Sequence, residues 1–269
     1  MKIGRIDLDE LDIDRVKLAL KRRADNVPHQ AAWHRDKEGS RVRATKGIKK
    51  GKRCVIMANG PSLAKVDMNT LKEIDTIALN RAYLSFDEWG FVPSCYVCVN
   101  DLVLEQFAAD ISHAGAMRFL NWRSRKLMTP SDSTYYLNVP NPLTDQFSTR
   151  LDQCAYAGGS VTFVALEVAY WLGYSEVAIV GLDHRYAEAG IPNSRAVRAG
   201  EDKSHYRPDY FPPGTKWELP DLDRFEAGYE LARIAYDEAN RPVFDCTDNG
   251  GSKAFVKSTL DEFLDRPES

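Results

Sequence analysis

No stretch of this chain approaches the roughly 20 consecutive apolar residues that a membrane-crossing helix requires. The first residues also lack the apolar core of a secretory signal, so the expected location is the cytoplasm. Cysteine is scarce: five residues, an odd number, fit reduced thiols better than a disulfide framework. The one close pair, Cys95-Tyr96-Val97-Cys98, lies in an apolar run that reads as a strand. Positions three apart on a strand face opposite ways, so the pair reads as core packing, and no metal site is expected. Gly-x-Gly-x-x-Gly and Walker loops are both missing, which removes the two commonest nucleotide fingerprints. Internal repeats and low-complexity tracts are missing too, which excludes a solenoid or a fibrous chain.

What is present is enough for a full core: 269 residues, 43% of them hydrophobic. The net charge of -3 conceals an asymmetry. Residues 1–53 carry 16 Lys and Arg against 8 Asp and Glu, whereas the rest carries 20 against 31. The expected organisation is a basic N-terminal arm over 1–52, with a short helix at 14–23 and a polar connector after it. A nucleotide-binding domain over 53–269 follows. A basic arm on an acidic body suits peripheral contact with anionic lipid headgroups, or plain solvation, and gives no reason to expect nucleic acid. The sequence leaves a homo-oligomer open.

Beyond residue 53, short apolar runs recur at 54–57, 76–79, 95–99, 117–120, 135–137, 177–180 and 243–245. Helical periodicity separates several of them. Val161, Val164, Ala165, Val168 and Leu172 share one helical face, opened by Gly158-Gly159-Ser160 and closed by Gly173. A second helix is expected over 222–239. This alternation predicts an α/β fold, a Rossmann-like, mostly parallel sheet with helices on both faces. The segment from 190 to 220 is polar and proline-containing with no periodicity. It reads as a lid or a disordered excursion, with the lid itself at about 190–215.

The candidate site sits where the strands stop. The first run ends in Asn59-Gly60-Pro61-Ser62, the second in Asn80-Arg81, the third in Asn100-Asp101, and the sixth in Gly181-Leu182-Asp183-His184-Arg185. Ligands in open α/β sheets bind beyond the carboxyl ends of the strands, so these polar ends are expected to converge. Gly60 permits close approach, Pro61 stiffens the loop, and the amides both donate and accept. Gly159 and Ser160 open a helix whose free N–H groups favour an anion.

In this order, Asn-Gly-Pro-Ser-Leu at 59–63, Asn80-Arg81-Ala82-Tyr83, Gly159-Ser160-Val161, Leu172-Gly173-Tyr174, Gly181-Leu182-Asp183 and Ser204-His205-Tyr206 resemble the bacterial sialyltransferases of lipooligosaccharide synthesis. They are similar also to the wider Rossmann-like group that includes flagellin motility accessory factors and an archaeal pterin pyrophosphokinase. The resemblance spans about 55–250. It implies a CMP-linked acidic sugar as donor substrate, a glycan acceptor and no metal or other cofactor. It also implies nucleotide-sugar contacts from Asn59, Gly60, Asn80, Asn100 and Ser160.

Two departures stand out. Asp209 occupies the place where the family carries its catalytic histidine, and Arg185 replaces its phosphate-binding tyrosine. His205, Asp209 and His184 are therefore the candidate bases, ranked in the order His205, Asp209, His184, because an unperturbed imidazole suits proton abstraction near neutral pH. Arg185 is the candidate cation for a departing phosphate. The resemblance equally admits an ATP- and Mg²⁺-dependent pyrophosphoryl transfer, for which Asp101 and Asp183 are candidate metal-holding carboxylates. A non-catalytic nucleotide-binding domain is the third reading.

Overall fold

The computed structural model describes residues 13–140, 144–188 and 190–266. The chain runs through strands β1 (Arg53–Met57), β2 (Asp75–Leu79), β3 (Cys95–Cys98), β4 (Met117–Asn121), β5 (Thr134–Leu137), β6 (Glu176–Val180), β7 (Arg195–Val197), β8 (Lys216–Glu218), β9 (Val243–Asp245) and β10 (Val256–Lys257). The helices are α1 (Ile13–Arg35), α2 (Glu38–Arg43), α3 (Phe86–Trp89), α4 (Asp101–Ser112), α5 (Val161–Leu172), α6 (Leu222–Glu238) and α7 (Leu260–Leu264).

Eight strands form one parallel sheet in the order β10-β9-β6-β1-β2-β3-β4-β5. The fold is α/β and Rossmann-like, as the recurring apolar runs predict. Parallel sheets are covered on both faces, so their inner strands are apolar without alternation; β6 is buried at every position. In β3, Cys95 and Val97 enter the core on one face while Tyr96 and Cys98 enter the core on the other. The two thiols therefore point apart, and burial pushes each up to about 12.

Strand order positions the site. From β1 the chain builds outward through β2 to β5, then returns to lay β6 on the other flank of β1. The reversal between β1 and β6 is a topological switch point, where a crevice opens beyond the strand ends.

Two expectations need correction. The stretch after residue 23 is not a polar connector. α1 continues to Arg35, and α2 follows. Trp33 is buried and donates from Nε1 to the Tyr136 carbonyl at 2.9 Å, and Val42 lies in the main core. Glu38 is buried as well and accepts from Tyr136 N at 3.0 Å. The reason is that helices draw most of their stability from docking rather than propensity. Among the described residues the docked ones include Ala32, Trp33, Glu38 and Val42, with Pro28 inside α1, and they form no periodic stripe in the sequence. The first twelve residues of the expected arm lie outside the described residues. Among the described residues no helix is long and apolar enough to cross a membrane.

The stretch from 190 to 220 is not structureless either. β7 and β8 pair antiparallel, Arg195 with Glu218 and Val197 with Lys216. Gln106 of α4 imitates a neighbouring strand by bonding both the N–H and the carbonyl of Lys216, each at 2.8 Å. Its organisation comes from such long-range polar contacts, which leave no period in the sequence.

Candidate active site

The ends of β1, β2 and β6 form the floor of a cleft of about 170 Å³. Asn59 Nδ2 donates to the Leu79 carbonyl at 3.2 Å, tying β1 to β2, and Gly60 N donates to the Gly181 carbonyl at 2.8 Å, tying β1 to β6. Gly60 can be nothing larger: a Cβ there would stand 2.2 Å from Asp183 Oδ2. That oxygen accepts from Ser62 N at 3.0 Å and from Ser62 Oγ at 2.7 Å. Asp183 is thus fixed by the very loop it underlies. Its Oδ1 is buried without a hydrogen bond, and Arg185 Nη2 stands 3.7 Å away.

Asn80 follows β2 in the left-handed region at φ 47, a conformation that asparagine tolerates better than most residues. Its Oδ1 and that of Asn59 are buried without partners. Asn100 lines the cleft while capping α4, accepting from Val103 N at 3.2 Å. At the cleft's other margin Gly159, Ser160, Val161 and Thr162 begin α5. Ser160 Oγ accepts from Phe163 N at 3.2 Å, and the first-turn N–H groups without intrahelical partners make this end a natural anion seat.

The roof comes from residues 184–188 and 190–220. His205 Nδ1 lies 2.8 Å from Asp202 Oδ2, and its ring stacks on Tyr210 at 4.2 Å and 9°. Asp202 Oδ1 accepts from Ser204 N and His205 N at 2.9 and 3.2 Å. Burial alone would raise the Asp202 carboxyl, but the His205 bond, the backbone N–H and Arg198 bring it below the usual range. Arg198, whose side chain is only 4% exposed, stands 3.5 Å from Asp202, pairs with Glu188 and lies 4.4 Å above the Trp217 ring. The roof meets the floor where Tyr206 N donates to the Asn59 carbonyl at 3.0 Å.

The structure therefore brings Asn59, Gly60, Asn80, Asn100, Gly159, Ser160, Asp183, His184, Arg185 and His205 to one cleft. Four expected residues stand outside its lining. Pro61 and Ser62 lie behind it, with Ser62 acting through Asp183. Asp101 turns to Asn121, whose Nδ2 donates to it at 2.8 Å. Asp209 stands at the surface. Its side chain is 60% exposed, Arg207 grips it at 2.9 and 3.1 Å and depresses its carboxyl, and it does not reach the cleft. The neighbouring backbone is held by Arg81, whose guanidinium bonds the Tyr210 carbonyl.

Sequence reasoning missed Asp202, Arg198, Glu188 and Glu226. Of these only Asp202 leaves a local signal, three residues before His205, the spacing that brings the two side chains together.

Residues 35–189 match the family described as 6-hydroxymethylpterin diphosphokinase MptE-like. The chain belongs to the MptE-like family. This is the Rossmann-like group to which the strand-end motifs point. Among solved structures, the chain is similar to the MAf glycosyltransferase from Magnetospirillum magneticum AMB-1, with 16% identity and a TM-score of 0.51 over 87% of this chain. That likeness is one of fold, and the chain spans 39% of that protein's length. No curated protein matches.

Proposed function

We propose that this MptE-like chain is a glycosyltransferase that moves a sugar from a CMP-linked donor, an acidic sugar, to a glycan hydroxyl. The observation that carries the reading is His205, held by the buried carboxylate of Asp202 over a cleft with an anion seat at the start of α5. With a proton on Nδ1 shared toward Asp202, the Nε2 lone pair is the free one. The acceptor hydroxyl gives its proton to Nε2 as its oxygen attacks the anomeric carbon. The bond from that carbon to the phosphate oxygen breaks, and the phosphate leaves with the electron pair. Arg185 and the N–H groups at the start of α5 stabilise the departing charge. Attack opposite the leaving group inverts the anomeric centre.

The family's description favours a second reading, ATP-dependent diphosphoryl transfer. Asp183 and Glu218 are the carboxylates in the described lining, and among the described residues no three His, Cys, Asp or Glu gather as a metal cage. A magnesium ion in that reading would rest chiefly on the nucleotide's own phosphates, as this ion commonly does.

Thermal unfolding with added nucleotide separates the readings. A ligand at 100 times its Kd stabilises by about 2.7 kcal/mol. CMP stabilising without metal is the expected result. Stabilisation by ATP only with Mg²⁺ transfers the assignment to the diphosphokinase, and no response to either removes the catalytic readings.

A further inference from the structure

A second histidine–carboxylate pair places its histidine in the same cleft, and the proposed proton transfer uses neither group. His184 leaves β6 in the left-handed region at φ 54, and its ring packs 6.0 Å from Tyr229 and 6.5 Å from Phe225. Its Nε2 is 3.3 Å from Glu226 Oε2. The other oxygen of Glu226 is fully engaged, accepting from Ser252 Oγ at 3.0 Å and Lys253 N at 2.6 Å. Oε2 itself is buried and makes no hydrogen bond of standard geometry. A buried carboxylate oxygen facing an imidazole lone pair at that distance would be repelled, so Nε2 must carry the proton. Burial also lowers the His184 pKa, outweighing the nearby Glu226 and Asp245, so the ring is neutral near pH 7. The lone pair then falls on Nδ1, which is buried and unpartnered.

Nδ1 does not stand alone. The Oδ1 atoms of Asn59, Asn80 and Asp183 are likewise buried acceptors without a bond. An unmet buried acceptor is costly, and four in residues lining one cleft call for a ligand that donates. We propose that His184 is a ligand-binding residue whose Nδ1 accepts a hydrogen bond from a hydroxyl of the bound ribose or sugar, with Glu226 as the positioning residue that fixes its tautomer. This deepens the glycosyltransferase reading and rests on it for the identity of the ligand, but the tautomer does not. The hydroxyl-bearing part of the ligand belongs at this acceptor wall, and its phosphate at the start of α5.

The test uses the full chain in two measurements. Nitrogen-15 NMR of the free protein at pH 7 reads the tautomer directly: Nε2–H at His184 is expected, with the preference lost in Glu226→Gln. Nδ1–H, or a doubly protonated ring, overturns the assignment. Calorimetric titration with CMP reads the contact. His184→Ala is expected to weaken binding at least tenfold. His184→Asn is expected to stay within threefold, because asparagine tolerates the left-handed backbone and carries an acceptor near the Nδ1 position. Equal affinity in all three proteins overturns the contact. A wild type blind to CMP sinks the donor reading, and the same comparison with ATP and Mg²⁺ then decides His184. Binding of neither nucleotide overturns both.

Discussion

The floor of the cleft is tied together by backbone and amide hydrogen bonds at strand ends, and its roof by buried charges. On the floor, Asn59 and Gly60 join β1 to its two neighbours through carbonyls that the sheet itself fixes. In the roof, Glu188, Arg198, Asp202 and His205 hold one another through side chains on the loops around the short β7–β8 pair. The floor's ends belong to strands buried on both faces. In the roof each buried charge depends on its partner, since an unpaired buried charge costs far more than the pair contributes. Contacts made by strand-end backbone and amides are thus separated from the side-chain network around His205.

The sharpest test of that division is to remove the proposed base. His205→Ala is expected to lower turnover by roughly 10²–10⁴-fold with little change in CMP affinity, the pattern of a group acting on a proton in the transition state. Steady-state kinetics beside calorimetry separate the two effects. A variant as active as the wild type ends the role of His205, and a loss confined to affinity makes it a binding residue of the floor's kind.

Arg198→Met attacks the roof's scaffold. It leaves Glu188 and the fully buried Asp202 side chain without their cation, a change that typically costs about 3–5 kcal/mol. Hydrogen exchange should quicken across residues 194–219 while β1 and β6 keep their protection. Uniform loss across the sheet would show that roof and floor are a single cooperative unit.

The smallest expected effect is at the floor. Gly60→Ala drives a methyl to within 2.2 Å of Asp183 Oδ2, forcing a shift of the kind that overpacking makes, about 1–3 kcal/mol. Chemical denaturation should report that cost, together with weakened nucleotide binding. A variant with wild-type stability would mean that the loop can move, and the floor would lose its contrast with the roof.

The sequence by itself determined the sheet and its ligand-facing edge. Strands buried on both faces must be continuously apolar, and runs such as Val177-Ala178-Ile179-Val180 ending in Gly181-Leu182-Asp183 declare both the strand and the point where polar chemistry begins. The period of α5 and its Ser160 cap are equally local. Only the tertiary structure decided the rest. Ser62 meets Asp183 across 121 positions, and Trp33 meets Tyr136 across 103, contacts that leave no periodic trace in either segment. The different surroundings of His205 and Asp209 arise in the same way. The two lie four residues apart, yet Asp202 fixes the His205 ring in the cleft lining while Arg207 holds Asp209 at the surface. Local spacing specifies elements because backbone geometry repeats. It does not specify which charges share a buried space, because that depends on how distant elements dock.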